Sequence, residues 1–408
     1  MLTESGYDYE RLVKGCEKQL EQKMDPILNI CDSGIRVDPA ELEKTLTLLE
    51  EAIDPDHREE VEVLQNDTFL FAEAGRIPVL VSTRNDVAHQ SCKESGWPVF
   101  PFQRMWHDPA AMLLNELLSA YESVILKDDK VFTARPNLSQ LFIPSFFGAT
   151  GICSGSSLDD MPFINHVPPR DEIEKRIEQG IDIESSFMME KYRAIIEKWK
   201  EIIAPYPRLS RWLHFALPDL QGPFNLYFLL RGSDAYIDLI DHPDLVDRLM
   251  KILTEIIAQT VNSLSAYLGE TEKGYCWNYG YPGLFRNIDD NATLISREQY
   301  LRFVHPWNVQ LMASCGGGIH HYCGDGRQIA GDIMSIPGVR GLNFGNPEKQ
   351  DWDLVTRLSR ETNTVLLWDR LIPSADLKKL PAQGLIVKAI VPDIETGRSY
   401  MKDLGRTA

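Results

Sequence analysis

A chain of 408 residues, 43% of them hydrophobic, can fill the core of one large domain or two ordinary ones, which excludes a largely disordered protein. A formal net charge of −18 excludes nucleic-acid binding through a basic stripe and favours a dispersed, self-repelling protein. No apolar run approaches a membrane span, and the N-terminus lacks the basic start and apolar core of an export signal, so a cytoplasmic protein is expected. Seven scattered cysteines (16, 31, 92, 153, 276, 315 and 323) form no disulfide framework and read as free thiols.

Residues 1–70 are predicted to form an N-terminal helical extension, either a cap or the pairing arm of a homodimer. Tyr9 to Ile30 spaces Leu12, Leu20, Met24, Ile27 and Leu28 helically. Pro39 starts a second helix at its first position, with Leu42, Leu46 and Leu49 as its stripe.

From residue 71 to 408 short β-rich runs alternate with helical stretches, the pattern of βα units around a parallel sheet. The expected strands are Ile77 to Ser82, Leu141 to Gly148, Leu213 to Leu220, Gly274 to Asn278, Gly316 to Cys323, Val339 to Phe344, Thr364 to Trp368, and Leu385 to Val391. Between them Met112 to Leu126, Glu172 to Ile203 (broken near Gly180), Asp244 to Leu268 and Ser296 to Leu311 read as helices. Gly151 to Pro169 reads as a long loop over a site or an interface, and Asp128-Asp129-Lys130 as a surface turn. Eight βα steps point to an α/β fold, a TIM (β/α)8 barrel following the helical extension; a doubly wound open sheet is the alternative.

In such barrels chemistry gathers at the C-terminal strand ends. Those ends supply Ser82, Ser145, Asp219, Cys276, Asn278, His321, Cys323, Asn343 and Asp369. Residues i and i+2 of a strand face the same side, so His321 and Cys323 reach one ion, and imidazole with thiolate is a zinc-like donor pair. Cys276 is a candidate third ligand, set against apolar packing between Tyr275 and Trp277. Asp219, Asp290 and Asn343 are candidate catalytic groups. Tyr275, Trp277, Asn278, Trp368 and Asp369 are candidate walls for a small-molecule substrate. Asp289 and Asp290 read equally as an acid pair at a helix start. His320 is expected to face outward without a chemical task, and Gly316 to Gly318 to be a tight lead-in to the strand rather than a phosphate cradle.

Several stretches run in the order of a known family: Gly222-Pro223-Phe224, Leu230 to Asp234, Asp238 to Val246, Asp289 to Ala292, Leu294 to Tyr300, Val304-His305-Pro306, His321-Tyr322-Cys323-Gly324 and Leu342 to Gly345. Together they resemble the uroporphyrinogen decarboxylase superfamily, nearer its corrinoid-linked methyltransferase branch, from about residue 75 and most strongly from 222. The resemblance implies a barrel enzyme in which His321 and Cys323 match two of three zinc ligands, zinc activating a thiol that receives a methyl group. The branch's third ligand is a cysteine near the eighth strand, but Lys388 to Thr396 contains none. The methyl donor implied is a methylcobamide carried by a partner corrinoid protein, since no D-x-H-x-x-G motif occurs here, or a small methyl donor.

Two rivals stand beside this methyltransferase reading. One is a metal-free decarboxylase of uroporphyrinogen or a related tetrapyrrole, for which the region from Val79 to Phe102 lacks an arginine cluster. The other is a non-catalytic ligand-binding barrel that has lost the third ligand.

Overall fold

The computed structural model describes residues 25–30, 32–83, 96–153 and 161–406. Its organising element is a six-stranded parallel sheet in the order β1-β12-β11-β10-β9-β8. These strands are β1 (Val79–Thr83), β8 (Phe285–Ile288), β9 (Gly318–Tyr322), β10 (Val339–Phe344), β11 (Val365–Trp368) and β12 (Leu385–Val391). A separate parallel pair joins β2 (Phe132–Ala134) to β5 (Leu213–Phe215). Two antiparallel hairpins complete the strands: β3 (Thr150–Ile152) with β4 (Phe163–His166), and β6 (Lys273–Cys276) with β7 (Tyr279–Pro282).

The strands alternate their side chains between two environments, as the pleat requires. On β11, Leu366 and Trp368 enter the main core beneath the helices, while Val365 and Leu367 join a second cluster with Leu80, Ile319 and Ile386. Cys276, Tyr279 and Tyr281 of the β6–β7 hairpin belong to that second cluster, so the hairpin lies against the inner face of the sheet. Phe69 at the end of helix Pro55–Phe69 also packs there, its ring 6.3 Å from Tyr281.

The hairpin turn is held from several directions. Trp277 (φ 53°) and Asn278 (φ 69°) are both left-handed, as a two-residue hairpin turn demands, although a tryptophan rarely adopts that conformation. Asn278 offsets the strain. Its carbonyl accepts from Val131 N and Gln65 Nε2, and its own N–H donates to Thr133 Oγ1. Its side chain accepts from Ser119 Oγ and donates to Val131 O.

One predicted surface turn is deeply internal. Asp128, Asp129 and Lys130 are 0%, 0% and 1% exposed. β1 pairs with β12 on one side. Along its other side, Val79 N and Val81 N donate to the Asp129 and Asp128 carboxylates, both at 2.7 Å. The carboxylates therefore satisfy strand amides where a neighbouring strand would otherwise be needed. Arg76, Arg406 and Lys130 supply the balancing charge.

Six of the eight expected strands coincide with strands of the two parallel ladders. The stretch Leu141 to Gly148 instead turns into a short 3-10 helix, Pro144–Phe147, and the second parallel strand is Phe132–Ala134. Gly274 to Asn278 is the first arm of the antiparallel hairpin, and the parallel sheet takes Phe285–Ile288 in its place. Strand pairing does not run as one closed ring, because β1 and β8 are the edges of the six-stranded sheet.

Helices Pro39–Ala52, Pro243–Leu268 and the pair broken at Gly180 (Arg170–Gln179, Phe187–Ile203) form as expected. The expected Tyr9 to Ile30 helix lies mostly outside the described residues; at its end, Leu28 bridges to Gly151. The long loop after Gly151 contains the β3–β4 hairpin, and its middle is also outside them. Among the described residues, no helix is long and apolar enough to cross a membrane.

Candidate metal centre

The site is built at the C-terminal end of β9. Its start is geometrically demanding: Gly317 and Gly318 have φ of 94° and 153°, and a Cβ on Gly318 would sit 1.8 Å from Phe285 O. Only glycine allows β8 and β9 to approach so closely, so the Gly316 to Gly318 run is a tight lead-in to the strand.

Three residues after Gly318, His321, 5% exposed, faces the same side as Asn343 of β10, its register partner. Asn343 Nδ2 donates to Leu367 O at 3.1 Å, which fixes the amide so that Oδ1 faces His321 Nδ1 at 2.6 Å. His321 must then carry its proton on Nδ1 and present the Nε2 lone pair outward, the orientation a metal ligand needs.

Cys323 Sγ lies 3.5 Å from that Nε2. Asp290, beginning the 3-10 turn Asp290–Leu294, places Oδ1 3.6 Å from it and accepts the Cys323 N–H at 2.6 Å. One ligand atom from each of Asp290, His321 and Cys323 falls within 4.8 Å of the others. Tetrahedral zinc with bonds of about 2.0–2.3 Å requires ligand atoms roughly 3.3–3.7 Å apart, and both separations from Nε2 meet this. Nitrogen, sulfur and oxygen donors together make a set that could hold a zinc-like ion.

Of the three groups, only His321 is already in the protonation state a metal ligand needs. Burial, aided by the Arg286 charge, holds His321 well below the usual histidine range, so it is neutral and its contact with Asp290 is no ion pair. Burial and the Asp290 carboxylate push the Cys323 thiol up to about 11. Burial raises Asp290 as well, against the Cys323 N–H that lowers it.

Behind β9, His320 is fully buried. It faces away from His321, as expected, but into a polar core rather than water. Its Nδ1 meets Asn287 Nδ2 at 3.1 Å, and Asn308 Nδ2 donates to Asp289 Oδ2 at 2.7 Å. Burial pushes Asp289 up to about 6 and His320 down to about 3, so no ion pair forms at their 4.0 Å separation. Asp289 N donates to His321 O, tying this core to the site strand.

The remaining predicted residues divide between the site and its supports. The Trp277 ring lies 6.2 Å from the His321 ring and is part of the site. Tyr275 instead stacks on His214 at 3.9 Å, and Asn278 is the turn clamp. Trp368 packs edge-on against Phe344 and Trp352 in the main core. Asp369 accepts from Tyr279 OH at 3.3 Å.

Asp219 lies 3.5 Å from Arg135 and accepts from Gln221, whose side chain leads through Asn225 to the Asn291 backbone beside Asp290. Cys276 is not in the ligand group. It is buried in the second cluster and lines a narrow pocket with Arg135, Asp219, Tyr281, Arg286 and Ile288. Burial raises its thiol too.

Arg286, Arg135 and Lys388 were not anticipated, yet their charges stand 4.2, 6.0 and 5.2 Å from the centre of the Trp277 ring. The detectable signal was Arg286 itself, a cation inside the strand Phe285–Ile288.

Because Asn343 fixes the tautomer, Asn343→Ala should weaken zinc binding by about 10–100-fold while leaving the fold intact. Competition against a chromophoric chelator measures this, and unchanged affinity would remove Asn343 from the site.

No family model matches the chain, and no curated protein matches it. Among solved structures it is similar to a methyltransferase from Methanosarcina mazei, with a TM-score of 0.60 at 15% sequence identity, over 85% of this chain and 98% of that chain. At that identity the likeness establishes a shared α/β fold.

Proposed function

We propose that this chain is a zinc-dependent methyltransferase that transfers a methyl group to a thiol, with Asp290, His321 and Cys323 as the metal ligands. The observation that carries the reading is the convergence of these three donors on one point, with the His321 tautomer fixed by Asn343. The similarity to a solved methyltransferase supports the reaction class, and the parallel strands β1, β2, β5 and β8 to β12 are read as the walls of a (β/α)8 barrel. Bound zinc would lower the pKa of a substrate thiol occupying the open position and so furnish a nucleophile at neutral pH.

The protein's own groups do the rest. Asn343 orients His321, and Asp290 fixes the Cys323 backbone while offering a hard oxygen donor where the resemblance implied a second cysteine. Trp277 closes one side of the site. The methyl donor, either a methyl-corrinoid on a partner protein or a small molecule, would approach from the open end of the strands.

The protonation states give a direct test. His321 is already neutral and the Cys323 thiol is protonated well above neutrality, so zinc must displace the thiol proton. Zinc binding at pH 7.5 should release about one proton per chain, and affinity should rise about tenfold per pH unit across pH 7 to 9. Calorimetry in buffers of different ionisation enthalpy measures the release. A value near zero would contradict a Cys323 thiolate ligand.

A further inference from the structure

Between β11 and β12 the chain forms a helix of only four residues, Ser374–Leu377, whereas the preceding crossover carries the eleven-residue helix Trp352–Thr362. Parallel sheets rely on such crossover helices for cover. Here the cover is short, and a groove of about 230 Å3 runs beside helix Trp352–Thr362. The buried strand residues Leu366 and Leu385 form its floor, and Leu380 and Pro381 stand at its rim. Register aligns Leu366 with Leu342 and His320, so the groove lies on the face of the sheet opposite His321 and is separate from the metal centre.

The helix wall of the groove is chemically graded. Trp352 is half-buried, its ring held edge-on 4.7 Å from that of Trp368. Asp353, Thr356 and Arg360 follow it along the same wall. Thr356 Oγ1 donates its proton to Trp352 O at 2.8 Å and so offers the groove only lone pairs. Asp353 and Arg360 make no ion pair among the described residues, and seven positions of helix set their backbones about 10 Å apart. One end therefore presents a carboxylate, a hydroxyl acceptor and an indole, which together suit an ammonium group. The other end presents a guanidinium over leucine side chains, and a guanidinium stacks on aromatic faces.

We propose that this groove binds an arylalkylamine, its ammonium at Asp353 and Trp352 and its ring on Leu366, Leu380 and Leu385 under the Arg360 guanidinium. Volume limits the ligand: a cavity of about 150 Å3 holds benzene, so this groove takes a single ring with a short alkyl arm. The acidic surface of a chain with net charge −18 draws organic cations and repels acids. Occupancy of the groove depends on neither the metal centre nor methyl transfer.

Calorimetric titration of the full-length chain with 2-phenylethylamine, neutral 2-phenylethanol and 3-phenylpropionate tests this, with Trp352 fluorescence reporting the location. The amine should bind saturably at one site, the alcohol about tenfold more weakly and the acid more weakly still. The amine should change the fluorescence of the parent chain by an amount that Trp352→Phe removes. Asp353→Asn, a nearly isosteric change at an exposed position, should lose about tenfold in amine affinity. Absence of amine binding, equal affinity for amine and alcohol, or unchanged amine affinity in Asp353→Asn would overturn the proposal. So would tighter binding of 3-phenylpropionate, which would move the charged contact to Arg360, or a fluorescence change that persists undiminished in Trp352→Phe.

Discussion

Cys323→Ser should lose zinc during purification, while the parent chain keeps about one ion. Cys323 is the single thiol within reach of His321 Nε2 among the described residues. Replacing a sulfur that would bind the metal directly should cost more than the 10–100-fold typical of losing a group that only orients a ligand. Asp290→Ala should weaken zinc binding to a comparable degree, since the proposal makes Asp290 Oδ1, 3.6 Å from His321 Nε2, the third donor. Cys276→Ser separates the two candidates for that third position: its thiol packs with Tyr279 and Tyr281, so zinc content should be unchanged. Loss of metal in Cys276→Ser with retention in Asp290→Ala would reverse the assignment.

Asp128→Ala should destabilise the fold by about 3–5 kcal/mol, the range for breaking a buried charged network from one side. The carboxylate receives Val81 N at 2.7 Å, Ser123 Oγ at 2.5 Å and Lys130 N at 3.3 Å, and lies 3.6 Å from Lys130 Nζ. Alanine leaves two buried amide donors and a hydroxyl unsatisfied and removes one of the two carboxylates around Lys130, which is 1% exposed. Denaturant unfolding should show the shift in midpoint without a change of slope. A loss below about 1 kcal/mol would show that water or rearrangement satisfies this edge of β1.

The legible parts of the sequence were those whose cause is local. Val339–Phe344 and Leu385–Val391 are apolar runs bounded by turn residues, and their strand limits match the sequence reading. Helix Pro39–Ala52 announces itself through Pro39 at its first position; the structure adds Asp38, whose side chain caps Ala40 and Glu41. The pairing of His321 with Cys323 followed from strand periodicity alone.

What escaped depends on distant partners. Phe132–Ala134 is three residues long and gains its strand identity from Leu213–Phe215. Leu141 to Gly148 is as apolar as a strand, yet Pro144 and the left-handed Gly148 frame a 3-10 turn. Asp128-Asp129-Lys130 reads as surface because its partners Arg76 and Arg406 lie far away in the chain. His320 does point away from the ligand group, but helices cover that face, so outward is not solvent. The placement of Asp290 beside His321 and Cys323 required the β8–β9 register and the Cys323 amide contact, neither visible as a spacing.

The most direct measurement is zinc K-edge X-ray absorption on the purified chain, before and after addition of a saturating small thiol. The account predicts one sulfur and otherwise nitrogen or oxygen neighbours in the resting protein, rising to two sulfurs when the thiol occupies the open position. Zinc without a sulfur neighbour, or a sulfur count that remains at one with thiol present, would contradict thiol activation at Asp290, His321 and Cys323.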